Sequence, residues 1–271
     1  MESEQDTNQE NSTIGQDTSD NDQNTKRKDM HFLDHLEELR WRIVKALAGI
    51  VVAAIFCALI ANWLVEDVFL APVRGASPAL AIINLKPYGK VLVYMQVVLL
   101  SGFILSIPNI LYQFWKFIEP GLYPHERRYI FWIVAFSSLC FFLGVAFSYF
   151  IMLPITLQFF AGFGTTAIEN TIAINEYMSF VLRMMLAAGL VFEMPMVSFF
   201  LARLGVLTPS FMRHYRRHAY TILLIIAALI TPADIVSMMI LAIPLLLLYE
   251  FSIFIARIAM RRRQKAQEMP L

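Results

Sequence analysis

Glu193 stands in Gly189-Leu190-Val191-Phe192-Glu193-Met194-Pro195, inside an apolar run spanning 178–203. A carboxylate at such depth in a bilayer costs a few kcal/mol even on lenient scales, so it marks function by default. A protonated, hydrogen-bonded glutamic acid that fixes packing is the plainer alternative, and the flanking Gly189 and Pro195 predict a bent helix with a concave wall. Two more carboxylates lie beside apolar runs. Glu38 belongs to Phe32-Leu33-Asp34-His35-Leu36-Glu37-Glu38-Leu39-Arg40-Trp41-Arg42, where Phe32, Leu36, Leu39 and Ile43 recur at helical spacing. That pattern predicts an amphipathic turn at a membrane surface. On these residues alone the weightier reading of Glu38 is an i,i+4 ion pair with Arg42, which contributes a few tenths of a kcal/mol. Glu126 lies in Phe117-Ile118-Glu119-Pro120-Gly121-Leu122-Tyr123-Pro124-His125-Glu126-Arg127-Arg128, a connection stiffened by two prolines. It reads equally well as a helix-start residue favoured by the macrodipole. Together, two carboxylates on one membrane face would grip a partner carrying adjacent arginines. Each guanidinium is a planar fork that matches a carboxylate, and lysine is a poor substitute.

Other polar residues fit packing better. Glu250 and Arg257, seven apart in the last apolar run, predict structural pairing or snorkelling. Asn109 and Gln113 near Pro108 predict bonds to neighbouring helices. His125, His214 and His218 have no metal-ligand company, and there is no Ser/His/Asp set or phosphate loop, so neither an enzyme nor a cofactor is expected. Cys57 and Cys140 each sit within an apolar run, which predicts no disulfide.

The elements that position these groups must be membrane helices. Hydrophobic residues make up 58% of the 271 and charged ones 16%, with a mean hydropathy of +0.59. A chain this apolar cannot cover itself with polar surface, which excludes a soluble globular domain. Six segments are predicted, at 43–65, 91–116, 129–152, 178–203, 217–231 and 235–256. In the fifth, the uninterrupted apolar stretch Ala219–Ile230 would be too short for an undistorted bilayer of about 30 Å. Thr231-Pro232-Ala233-Asp234 then predicts a tight reversal, so the last two helices read as a short hairpin. Lysine and arginine fall in alternating flanks, 18 of 22 on one side with only Arg74, Lys86, Lys90 and Arg183 on the other. This predicts an even number of crossings with both termini cytoplasmic. The expected organisation is a disordered polar tail over 1–29, an all-α transmembrane domain over 30–257 and a basic cytoplasmic tail over 258–271. No signal peptide is expected at the start, which lacks an apolar core region. The absence of an internal repeat weighs against the common transporter plan.

The motifs FLDHLEELRWRI, IPNILYQFWKFIEPGLYPHERR, VFEMP, LITPADIV and LAIPLLLLYE occur in this order across residues 31–257. In this the chain resembles the TatC family, the multispanning subunit of the twin-arginine protein translocase. The resemblance implies a receptor and assembly core in a bacterial-type inner membrane, with the twin-arginine signal peptides of folded precursors as ligands. It links Glu38, Glu126, Arg40 and Phe117 to signal-peptide binding, places Glu193 on the concave side within the membrane, and ties Pro72 and Asp234 to activity or assembly. It further implies an oligomeric complex, small single-span TatA and TatB partners along the fifth and sixth segments, transport driven by the proton motive force, and no nucleic-acid partner. Ala233 and Met238 depart from the proline and glutamine common in relatives. The alternative is a proton-coupled small-solute transporter using Glu193.

Overall fold

A computed structural model describes residues 36–75, 81–119, 130–163, 171–231 and 235–267. Its helices are α1 (Leu36–Leu59), α2 (Gly89–Leu105), α3 (Ile107–Ile118), α4 (Ile130–Phe147), α5 (Leu153–Gly162), α6 (Ile174–Phe192), α7 (Met194–Leu204), α8 (Pro209–His214), α9 (Arg216–Ile230) and α10 (Ile235–Gln267). Short helical turns at Ala61–Trp63 and Ala71–Arg74 flank a wider π-helical turn at Leu64–Phe69, and a second π-helical turn, Ser148–Met152, joins α4 to α5. Pro72, Pro108, Pro154, Pro195 and Pro209 each occupy the first two positions of a helix, where a missing N–H costs no bond. The prolines thus mark where apolar runs break rather than end.

Among the described residues four stretches are long and apolar enough to cross a membrane: Leu36–Leu59, Ile130–Gly162, Ile174–Leu204 and Met238–Arg261. The pair α2 and α3, bent by 49°, makes a fifth if taken as one span. Helix α9 has 15 residues, about 22 Å of rise, and falls short of a bilayer, as its apolar stretch predicted. The expectation that both of the last two helices are short is corrected: α10 runs 33 residues and carries Pro244 inside it. Neighbouring helices can re-satisfy the backbone group that a proline frees, so an apolar helix tolerates it.

The main core gathers Met152, Leu153, Leu157, Met178, Met184, Leu241 and Leu245 from α5, α6, α10 and the turn between α4 and α5. Helix α1 lies outside it, with Leu47, Val51, Ile55 and Leu59 all exposed. It meets the bundle through small residues: a Cβ on Gly102 would lie 2.6 Å from the Ala54 Cα. Asn109 Nδ2 also donates to the Lys45 carbonyl at 3.3 Å, fulfilling the interhelical role expected of it. At one end of the bundle β1 (Ala81–Ile83) pairs in parallel with β2 (Thr171–Ala173). Neither strand is legible as an apolar alternation. At that end Tyr177 Oη donates to the Phe69 carbonyl at 2.7 Å and Tyr149 Oη to the Val68 carbonyl at 2.8 Å. These hydroxyls satisfy acceptors left open where the Leu64–Phe69 turn finishes.

Candidate functional site

Glu193 sits where the fourth span is broken. Helix α6 stops at Phe192 and α7 resumes at Met194, with Pro195 in the first turn of α7. The Glu193 N–H therefore bonds the Leu190 carbonyl at 3.2 Å, while its own carbonyl accepts from the Val197 N–H at 2.9 Å. The side chain is buried. Ser137 of α4 donates its hydroxyl to Glu193 Oε2, and Oε1 is buried with no hydrogen-bond partner among the described residues. An unpartnered buried carboxyl oxygen is a costly arrangement, of the kind retained at functional positions. Close packing holds the pair of helices: a Cβ on Gly144 would lie 2.7 Å from the Ala188 carbonyl oxygen, and one on Gly189 would lie 2.7 Å from the Phe141 ring. Beside the break, Phe192, Pro195, Cys140 and Phe251 help line an apolar cavity of 600 Å³.

At the other end from the strands, Glu38 and Arg40 occupy the opening turns of α1. The Arg42 guanidinium donates to Glu38 Oε1 through Nε at 3.1 Å and also through Nη2. The predicted i,i+4 pair is therefore present, and Arg40 is exposed. Helices α1 and α2–α3 run antiparallel, since Ala54 meets Gly102 while Lys45 meets Asn109. That register carries Phe117, at the close of α3, toward the Glu38 end. Two residues before Phe117, Trp115 packs edge-on against Phe200 of α7, ring centroids 4.4 Å apart, in a small buried cluster with Ile130 and Val134. Pro72 is half-buried in its short turn near the strand end. Glu126 and Asp234 lie outside the described residues.

Two readings change. Glu250 pairs with Arg216 at 2.5 Å and accepts from Tyr220 Oη at 2.5 Å, not with Arg257, because α9 packs alongside α10 and brings its first turn to that level. Arg183, counted with the loops, lies well inside α6. The partner of Glu193 was missed altogether. Its one available signal was the hydroxyl pair Ser137-Ser138 in an otherwise apolar run, since polar side chains in membrane helices usually bond across to a neighbour.

The fold and site define a membrane protein with several apolar helical spans and a buried carboxylate at a broken span. The model of the Sec-independent protein translocase protein family, TatC, matches residues 34–244. The TatC protein of Aquifex aeolicus is 37% identical over 241 residues, covering 88% of this chain and 100% of its own. TatCy of Bacillus subtilis is 38% identical over 243 residues, covering 89% of this chain and 94% of its own. A crystal structure of the twin-arginine translocase receptor TatC superposes with a TM-score of 0.78 at 38% identity, covering 84% of this chain and 100% of that one. The chain belongs to the TatC family, a protein-translocase component and not a catalytic enzyme family.

Proposed function

We propose that this protein is the core receptor subunit of a twin-arginine translocase. In this reading it crosses the inner membrane six times with both termini in the cytoplasm, α9 serving as the short fifth crossing. It binds the twin-arginine signal peptide of folded precursors at the end of the bundle that carries Glu38, Arg40 and Phe117, with Glu126 completing the carboxylate pair. Small single-span partners of the TatA and TatB type assemble along α9 and α10 in an oligomeric complex, and the proton motive force drives export. Pro72 and Asp234 contribute to activity or assembly, and Glu193 acts within the membrane. The observation that carries the reading is the family match over 34–244, which spans both Glu38 and Glu126. The Glu38 carboxylate already holds a guanidinium within its own helix, which supports its capacity to take one from a ligand.

Site-directed photocrosslinking to a twin-arginine precursor tests this. Capture is expected at the Glu38 end and is lost on Glu38→Ala or Glu126→Ala. It weakens when the cargo's Arg-Arg becomes Lys-Lys, because the fork geometry is lost. Undiminished capture with both carboxylates removed would sink the assignment.

A further inference from the structure

Where α8, α9 and α10 meet, Arg213, Arg216, Glu250, Ile253, Phe254 and Arg257 line a cavity of 310 Å³. The three arginines face a single carboxylate there, and that carboxylate is already engaged: Arg216 Nη2 holds Glu250 Oε2 and the Tyr220 hydroxyl donates to Oε1, each at 2.5 Å. Glu250 is thus unable to neutralise Arg213 or Arg257, whose exposed side chains make no hydrogen bond or ion pair among the described residues. Arg216 Nε, moreover, is buried without an acceptor. Excess positive charge and an orphaned buried donor make this cavity suited to an anion.

Its depth says which kind. Along α10, Arg257 lies 22 residues beyond Ile235, a rise of about 33 Å, against a hydrocarbon core of about 30 Å. The arginines therefore stand at headgroup level, while Phe254, 53% exposed, faces outward one turn deeper, where an acyl chain would run. We infer that this cavity is a binding site for an anionic phospholipid, the phosphodiester held by Arg213, Arg216 and Arg257 and a chain laid on Phe254. Basic pockets between membrane helices take acidic headgroups by this chemistry. The site is distinct from the carboxylate face proposed for signal peptides, since a twin-arginine ligand carries the same sign of charge and is repelled. It stands or falls without that reading.

The test uses the full chain, purified in mild detergent from bilayers of equal phosphatidylglycerol and phosphatidylcholine, with native mass spectrometry of the lipids that stay bound. One phosphatidylglycerol is expected to be held more tightly than any phosphatidylcholine. Arg213→Gln and Arg257→Gln each weaken its retention about five-fold, and together about thirty-fold. Arg74→Gln, at the strand end, leaves it unchanged, and the double Arg-to-Lys variant keeps most of it. If the double Gln variant does not stay monodisperse, the two single variants decide the matter. Equal retention of both lipids, or unaltered retention in the Gln variants, overturns the proposal. Displacement by millimolar inorganic phosphate overturns it too, because the site would then take a free anion and not a lipid.

Discussion

Glu38→Gln separates structure from recognition, because the two roles of this carboxylate differ in size. One of its partners, Arg42, is four residues along the same helix, with Nε at 3.1 Å, and the two side chains are 34% and 17% exposed. A partly solvated pair of this kind contributes about 0.3–0.5 kcal/mol, so its loss barely moves the thermal unfolding of the purified protein. A ligand arginine bound to the same carboxylate makes charge-assisted hydrogen bonds of about 1.5–3 kcal/mol, which corresponds to about 10- to 150-fold in affinity. Anisotropy titration of a fluorescent twin-arginine peptide should therefore show at least that ten-fold weakening, with an unfolding midpoint close to the unaltered protein's. Arg42→Gln supplies the converse: removing the internal competitor tightens the peptide about two-fold. Peptide affinity of Glu38→Gln within about three-fold of the unaltered protein would refute the reasoning, as would a loss that merely tracks a large fall in stability.

Further outcomes follow from the packing. Gly102→Val places a Cβ 2.6 Å from the Ala54 backbone and should destabilise by about 1–3 kcal/mol through overpacking, read by detergent unfolding. Gly162→Ala meets nothing within 4 Å and should be neutral or stabilise by about 0.5–1 kcal/mol in the same assay. Ser137→Ala strips the donor from Glu193 Oε2, leaving a buried carboxyl without its partner. Unfolding should show a loss of about 1–3 kcal/mol, and export of a twin-arginine reporter should fall less than with Glu193→Ala. Tyr177→Phe orphans the Phe69 carbonyl and should cost about 1–3 kcal/mol by the same measurement.

Hydropathy located the apolar centre of each long span, because a bilayer imposes length and apolarity on every crossing segment, but α5 (Leu153–Gly162) and α8 (Pro209–His214) lie outside the expected segments. The bend at Glu193 was legible from the flanking Gly189 and Pro195, whereas the 49° bend before Pro108 falls inside a segment expected to run unbroken over 91–116. A span expected over 43–65 in fact ends at Leu59, ahead of the π-helical turn Leu64–Phe69, where Glu66 and Asp67 mark the limit of the apolar run but not the change of helix type. The Glu38–Arg42 pair was readable because it is local. The contact between Ser137 and Glu193 joins residues 56 positions apart, and that between Arg216 and Glu250 joins residues 34 apart. Both depend on which helices become neighbours, which periodicity does not encode. The β1–β2 pair is hidden for the same reason.

That pair has a consequence for the order of assembly. Ala81 is registered against Thr171 and Ile83 against Ala173, so the two strands close a loop of 90 residues with only three residues each. Chain entropy opposes such a closure by about 4 kcal/mol, more than so short a ladder can supply. The strands can meet only once α2 to α5 have inserted and brought their ends together. The ladder is thus a clasp fastened late, and hydrogen exchange at Ile82 and Ile172 should gain protection only after the helices between them are in place.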